Sequence, residues 1–168
     1  MRITRKQIGN LLGATVLALH DELSSSVESC TGRAGETAAA IVVLGHQPGL
    51  SNDHLSKLLK ITHTGTVRLI DNLVADALVK RESAKHDKRV IAISLTRKGE
   101  KLREKILKTR EASMVAASWD LSAEERSSLH SILSKVLVNI STDDEHKLRI
   151  CRLCDASSCP DCPIFVPT

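Results

Sequence analysis

The sequence predicts a mainly α-helical chain with one small β-hairpin, and three observations carry that expectation. Apolar residues recur at helical spacing through most of its 168 positions. One short segment, Val90-Ile91-Ala92-Ile93-Ser94-Leu95, alternates with the period of a strand. Basic charge is concentrated in the same region: residues 51–110 hold 15 of the 24 Lys/Arg but 7 of the 20 Asp/Glu, a balance of +8 against −4 elsewhere. A segment so biased is the footprint of a surface that meets a polyanion, whereas a charge run alone reads as a solvated helical face.

Composition sets the frame. Hydrophobic residues make up 42% and charged residues 26%, enough apolar matter for a core and too much for wholesale disorder. Trp119 and Phe165 are the only aromatics, so the core must be aliphatic. The length fits one domain or one intertwined unit. No stretch approaches the roughly 20 apolar residues of a membrane span. Arg2, Arg5 and Lys6 before Leu11–Leu19 mimic a secretory leader, but Ile8, Leu12, Val16, Leu19, Leu23 and Val27 continue the helical stripe beyond it. An amphipathic helix of a cytoplasmic protein is therefore expected, one that lies on the bacterial nucleoid when bound to DNA.

In chain order, that first helix spans about residues 4–29, and a stripe six turns long predicts packing against a second chain. A second helix follows over about 36–44, with Gly45 as its stop and Gln47-Pro48-Gly49 as a turn. Ser51 is placed to cap a short helix over 52–59 that turns Leu55, Leu58 and Leu59 inward. The next helix, about 64–75, buries Val67, Ile70, Leu73 and Val74 and offers His63, Thr64, Thr66, Arg68, Asp71 and Asn72 on its other face. Residues 78–81 and 90–95 form the hairpin around a charged tip, Glu82–Arg89. Thr96 caps a long helix rich in Lys and Arg. Ser122 and Glu125 make a capping box for a last helix striped by Leu129, Ile132, Leu133, Val136, Leu137 and Ile140. Two short helices, a basic hairpin and a following helix are the layout of a winged helix-turn-helix, which lays one helix in the DNA major groove with a β-wing beside it.

The run Arg68-Leu69-Ile70-Asp71-Asn72-Leu73, then Ala77-Leu78-Val79-Lys80-Arg81, Asp87-Lys88-Arg89 and Ser94-Leu95-Thr96-Arg97-Lys98-Gly99 resembles a MarR-type transcriptional regulator. In that family the recognition helix ends in R-L-x-D-x-L, a D-x-R wing tip follows, and the second wing strand closes in L-T-x-x-G. The resemblance implies a homodimer with interlocked terminal helices that binds a pseudo-palindromic operator on double-stranded DNA. It divides the chain into an N-terminal dimerisation helix (1–35), the winged lobe (36–96), linking and dimerisation helices (97–146) and a tail (147–168). It implies that Arg89 reaches the minor groove with Asp87 holding its guanidinium, and that Arg68 with the Thr64/Thr66 region faces the major groove. His63, Asn72, Lys80, Arg81, Lys85 and Lys88 complete the expected DNA-binding set. Against this stands the plain alternative of Arg68 pairing with Asp71 or Asn72 on a bare surface, and of an ordinary charged turn at 87–89. Two positions depart from the family. Ala77 occupies a place where Gly would supply a positive φ, so the turn is relaxed or mildly strained. Gly65 sits inside the recognition helix.

The tail holds Cys151-x2-Cys154-x4-Cys159-x2-Cys162, four of the five cysteines. Two C-x-x-C pairs can supply four thiolates to zinc, although the central gap is short. A redox switch is the second reading and packing alone the third. Arg149 and Arg152 would depress the thiol pKa values, while Asp155 and Asp161 would oppose them. Cys30 reads as a small buried hydrophobe.

An enzyme is not expected, since no phosphate loop, nucleophile elbow or His/carboxylate pair at catalytic spacing occurs. No cofactor is required for DNA binding; zinc at the tail is the one expected metal. Two functions remain: a DNA-binding repressor released by a small-molecule, metal or redox signal, or a metal- or redox-dependent module whose winged lobe contacts protein. The +8 segment and the D-x-R tip favour DNA. The lack of aromatic side chains to line a ligand pocket turns attention to the cysteine tail as sensor.

Overall fold

The computed structural model describes residues 3–33, 35–83, 91–116, 120–159 and 161–164. Its elements are α1 (Arg5–Thr31), α2 (Gly35–His46), α3 (Asn52–Leu59), α4 (His63–Ala75), β1 (Val79–Ser83), β2 (Ile91–Leu95), α5 (Arg97–Ala116), α6 (Ala123–Ile140) and α7 (Asp144–Ile150), with a 3-10 turn over Ala156–Ser158. It is mainly α with a small β-wing, as expected. No helix among the described residues is long and apolar enough to cross a membrane.

α2 is the centre of the core. Every residue from Thr37 to Leu44 is buried, the pattern of a helix surrounded on all sides. Val27 of α1, Leu55 of α3, Ile70 and Leu73 of α4, Val79 and Ile93 of the wing, and Ile106 of α5 close around it. These aliphatic side chains supply the burial that aromatics would otherwise provide.

Local chemistry sets the helix ends. Thr4 and Gln7 form a capping box on α1, Thr4 N donating to Gln7 Oε1 at 2.8 Å. Ser51 caps α3 by accepting from His54 N at 3.3 Å. The box of Ser122 and Glu125 opens α6, Ser122 N donating to Glu125 Oε2 at 2.8 Å. Gly45, in contrast, does not stop α2, which runs one residue past it to His46. A glycine is used there because the Arg103 side chain of α5 lies where a Cβ would be. Val74 also departs from expectation: it is 37% exposed at the edge of the α4 core face.

The wing is an antiparallel pair with Val79 opposite Leu95 and Ser83 opposite Ile91. Leu50 bridges to Ile93, with Gly49 N donating to Ile93 O at 2.8 Å and Ile93 N to Leu50 O at 3.0 Å. This short third segment ties the start of the helix-turn-helix to the wing. Ala77 joins α4 to the wing with a φ of +56°, the left-handed conformation, so of the two readings left open the strained turn is the one found. Ala77→Gly is therefore expected to raise stability by about 1 kcal/mol, net of the greater freedom of the unfolded chain. A urea midpoint unchanged or lowered would show that the turn is unstrained.

α1 and α6 are different in kind. The N-terminal half of α1 leaves Ile8, Leu12 and Val16 exposed, and α6 has no buried residue at all, with Ile132, Leu133 and Ile140 open to solvent. Only the C-terminal part of α1, through Leu23 and Val27, packs on the core. The tail folds back: Leu148 and Leu153 pack on the core, Ile164 is buried, and α7 lies against α3. α7 is an element not anticipated from the sequence, although Asp143 caps it by accepting from His146 N at 2.8 Å.

Candidate nucleic-acid interface

α3 and α4 form the helix-turn-helix. Lys60 turns the chain in the left-handed region (φ 55°), and Thr62 caps α4 by accepting from Gly65 N at 3.0 Å. A Cβ on Gly65 would press on that capping hydroxyl, so the glycine within the helix protects its start. Thr64, Arg68, Asp71, Asn72 and Ala75 then share the exposed face, spaced by three or four residues. His63 is exposed at the first turn, where unpaired backbone N–H groups favour an anion.

Thr66 does not belong to this face. It is fully buried, and its hydroxyl donates to Thr62 O at 3.1 Å. It lies one turn before Ile70 and so faces the core, which corrects its expected place among the DNA-facing side chains.

The acidic residue of the recognition helix has a clear partner. Arg81 Nη2 of β1 bonds Asp71 Oδ1 at 2.7 Å, tying the helix to the wing. Asp71, one of the two neighbours Arg68 could pair with, thus bonds Arg81 through Oδ1. Arg68 makes no ion pair among the described residues and stands exposed on the face. Lys80 is paired with Glu82 at 2.8 Å, half exposed on the wing. Lys85, Asp87, Lys88 and Arg89 lie outside the described residues.

The basic helix α5 divides by side. Arg97, Lys98 and Lys101 are exposed near the wing, and Lys98 Nζ donates to Asp76 O at 2.8 Å. Arg103 and Arg110 turn to the tail, and Lys105 reaches Cys30 O at 3.4 Å. The charge of the 51–110 segment thus serves two surfaces. Arg103, Ile106 and Arg110 fall on one helical face, a spacing that could have marked both arginines as inward-facing.

The tail gathers its thiols against these cations. Two turns bring them in, Cys154 N donating to Cys151 O at 2.8 Å and Cys162 N to Cys159 O at 3.2 Å. His46 Nε2 bonds Cys154 O at 2.8 Å, while its Nδ1 faces Arg103 Nη2 at 3.4 Å; a neutral ring protonated on Nε2 satisfies both. Arg110 Nη2 donates to Cys154 Sγ at 3.8 Å. The Cys151 thiol hydrogen-bonds Cys154, and this bond, with the Arg110 and Arg152 guanidiniums, holds Cys154 down to about 6 against burial and the Asp155 carboxylate. The same bond, burial and the neighbouring sulfurs push Cys151 up. Burial also raises Cys159. Arg152 and Asp155 act as the sequence suggested, but Arg110, distant in the chain, had no signal in the tail itself.

All five cysteines are free thiols, and Cys30 is half-buried. Among the described residues no group of three or more His, Cys, Asp or Glu side chains is arranged to hold a metal ion. Zinc at Cys151, Cys154, Cys159 and Cys162 is therefore not supported, although all four border one cavity of about 240 Å³.

Residues 32–90, the lobe containing α2 to the wing, match the MarR family. The chain is 28% identical over 114 residues to the uncharacterized HTH-type transcriptional regulator YdgJ of Bacillus subtilis (strain 168), covering 68% of this chain and 70% of that one. The solved structure of YusO from Bacillus subtilis superposes with a TM-score of 0.68 at 23% identity, over 83% of this chain and 100% of that one. A MepR variant of S. aureus, solved bound to an oligodeoxyribonucleotide, gives 0.60 at 22% identity, again over 83% and 100%. The order of elements and the matched lobe agree: residues 32–90 are similar to the MarR family, and the fold is that of winged helix-turn-helix proteins.

Proposed function

We propose that this protein is a sequence-specific double-stranded DNA-binding repressor that occupies a pseudo-palindromic operator as a homodimer. The observation that carries it is the exposed α4 face, where Arg68 stands without an acidic partner among the described residues, beside Thr64 and Asn72. A guanidinium and an amide are the groups that read guanine and adenine edges. In this reading Thr64, Arg68 and Asn72 enter the major groove and His63 meets a phosphate. Lys80 and Arg81 flank the backbone, and Lys85, Asp87, Lys88 and Arg89 bring the wing tip to the minor groove. The MepR variant captured on an oligodeoxyribonucleotide supports this use of the fold.

The open apolar faces of α1 and α6 support the dimer: α6 buries nothing in one chain, and a second copy would cover it. The division into terminal dimerisation helices, a lobe and a tail belongs to the same reading, as does a cytoplasmic place on the nucleoid. The releasing signal acts through the tail, where Cys154 meets α2 through its carbonyl and α5 through its thiol.

Selection from randomised duplexes of roughly 30 base pairs should recover inverted half-sites about one helical turn apart. Affinity for the recovered duplex should fall steeply with salt, log K against log concentration having a slope on the order of −5. Recovery of a single unpaired motif by a monomer, or a slope near zero, would sink the reading.

A further inference from the structure

The thiol cavity has two unlike sides. Toward α5, Arg110 donates to Cys154 Sγ. Toward the interior, Val43 of α2, Leu58 of α3, Leu148 of α7 and the buried Ile164 make an apolar wall. At about 240 Å³ the cavity lies just below the usual range for ligand sites of about 300–1,000 Å³, so its occupant must be small. Three of the polar side chains on its border hold bonds elsewhere. Lys147 bonds Asp144 at 2.8 Å, Arg152 bonds Arg149 O at 2.8 Å, and His46 is held by Cys154 O and Arg103.

We propose that Cys154 is the nucleophile of a two-thiol pocket that captures a small, apolar α,β-unsaturated carbonyl compound, with Cys151 as its proton donor. This rests on the reading of the chain as a DNA-binding regulator whose signal acts through the tail. A cation beside the sulfur favours the thiolate, the form that attacks. The Cys154 sulfur forms a bond to the β-carbon, and the C=C π pair moves onto the carbonyl oxygen as an enolate. The Cys151 S–H supplies the proton that restores the carbonyl with a new α C–H bond, and water reprotonates Cys151. The balance is one acceptor and one proton added to one thiolate, with no oxidant.

Capture also has a route to the lobe. The adduct fills a cavity walled by α2 and α3, and α3 packs on the recognition helix. Operator affinity falls as a result.

The test treats the full-length protein with trans-2-hexenal and maps adducts by mass spectrometry, with DNA binding measured on the selected duplex. One adduct should form on Cys154 ahead of Cys30 and the exposed Cys159. Arg110→Gln should slow it by about tenfold, and treatment should weaken DNA binding by at least about tenfold. Cys154→Ser should bind DNA like wild type and be indifferent to the aldehyde. Faster labelling of Cys159 would overturn the site. A Cys151–Cys154 disulfide forming faster with tert-butyl hydroperoxide than the adduct forms would overturn the substrate class, and tight binding of added zinc would overturn the two-thiol chemistry. An adduct on Cys154 without a change in DNA binding would overturn its regulatory role. If untreated protein binds no duplex, the DNA reading fails, while the mapping still judges the pocket.

Discussion

Gly99→Ala is expected to destabilise the protein by about 3 kcal/mol, the high end of overpacking in a site that cannot relax. A Cβ at Gly99 would collide with the carbonyl oxygen of Leu78, a backbone atom fixed between α4 and β1. The neighbourhood leaves little room to move. Thr96 N donates to Leu78 O at 3.0 Å, Thr96 Oγ1 donates to Ala77 O at 2.7 Å, and Gly99 N donates back to Thr96 Oγ1 at 3.1 Å. Together these give a physical account of the L-T-x-x-G run: the threonine docks the start of α5 onto the turn after the recognition helix, and the glycine lets the backbones meet. Gly45→Ala makes a useful comparison, because the group in its way is the side chain of Arg103 rather than backbone. Its effect on stability should be smaller. Urea unfolding of both variants decides the matter; a Gly99→Ala loss within about 0.5 kcal/mol, the range of ordinary surface changes, would mean the docking is loose.

Arg68→Ala should lower affinity for the selected operator by about 1–3 kcal/mol, roughly tenfold to a hundredfold, without changing the urea midpoint. The side chain is exposed and makes no ion pair among the described residues, so a loss of binding at unchanged stability reports contact with DNA. Salt resolves which contact. A base-reading arginine relaxes specificity at one position of each half-site and leaves the slope in place, whereas a phosphate-binding one reduces the slope by about one per contact. Arg81→Ala tests the contrast, since its guanidinium is held by Asp71 and its removal should loosen the wing as well as the interface. Wild-type affinity for Arg68→Ala at every salt concentration would remove α4 from the interface.

Much of this architecture was legible because its signals are local. Ser122 with Glu125, Ser51 ahead of α3, and the alternation of β2 each specify an element from a few adjacent residues. Errors arose where a distant group decides. Gly45 reads as a helix stop until Arg103 is seen lying across it, fifty-eight positions away in the chain. Thr66 reads as a polar contact by type, but its position one turn before Ile70 and its bond to Thr62 O place it inside. Arg110 belongs to a basic helix by composition and to a thiol by geometry. The tail was legible as cysteine-rich, but its return onto α3 depends on Leu148, Leu153 and Ile164, apolar residues too sparse to form a pattern.

The bond between Arg81 and Asp71 bears on how such a protein can diverge. It joins α4 to the wing, so on the proposed reading the distance between what each touches within a half-site is set by one chain. On the proposed reading the distance between the two half-sites is set instead by α1 and α6, whose apolar faces lie open in a single chain. Letters and spacing of an operator are thereby written on separate parts of the molecule. Substitutions on α4 can change the first while leaving the second intact, and a signal that shifts the lobes can weaken binding without altering which bases are preferred.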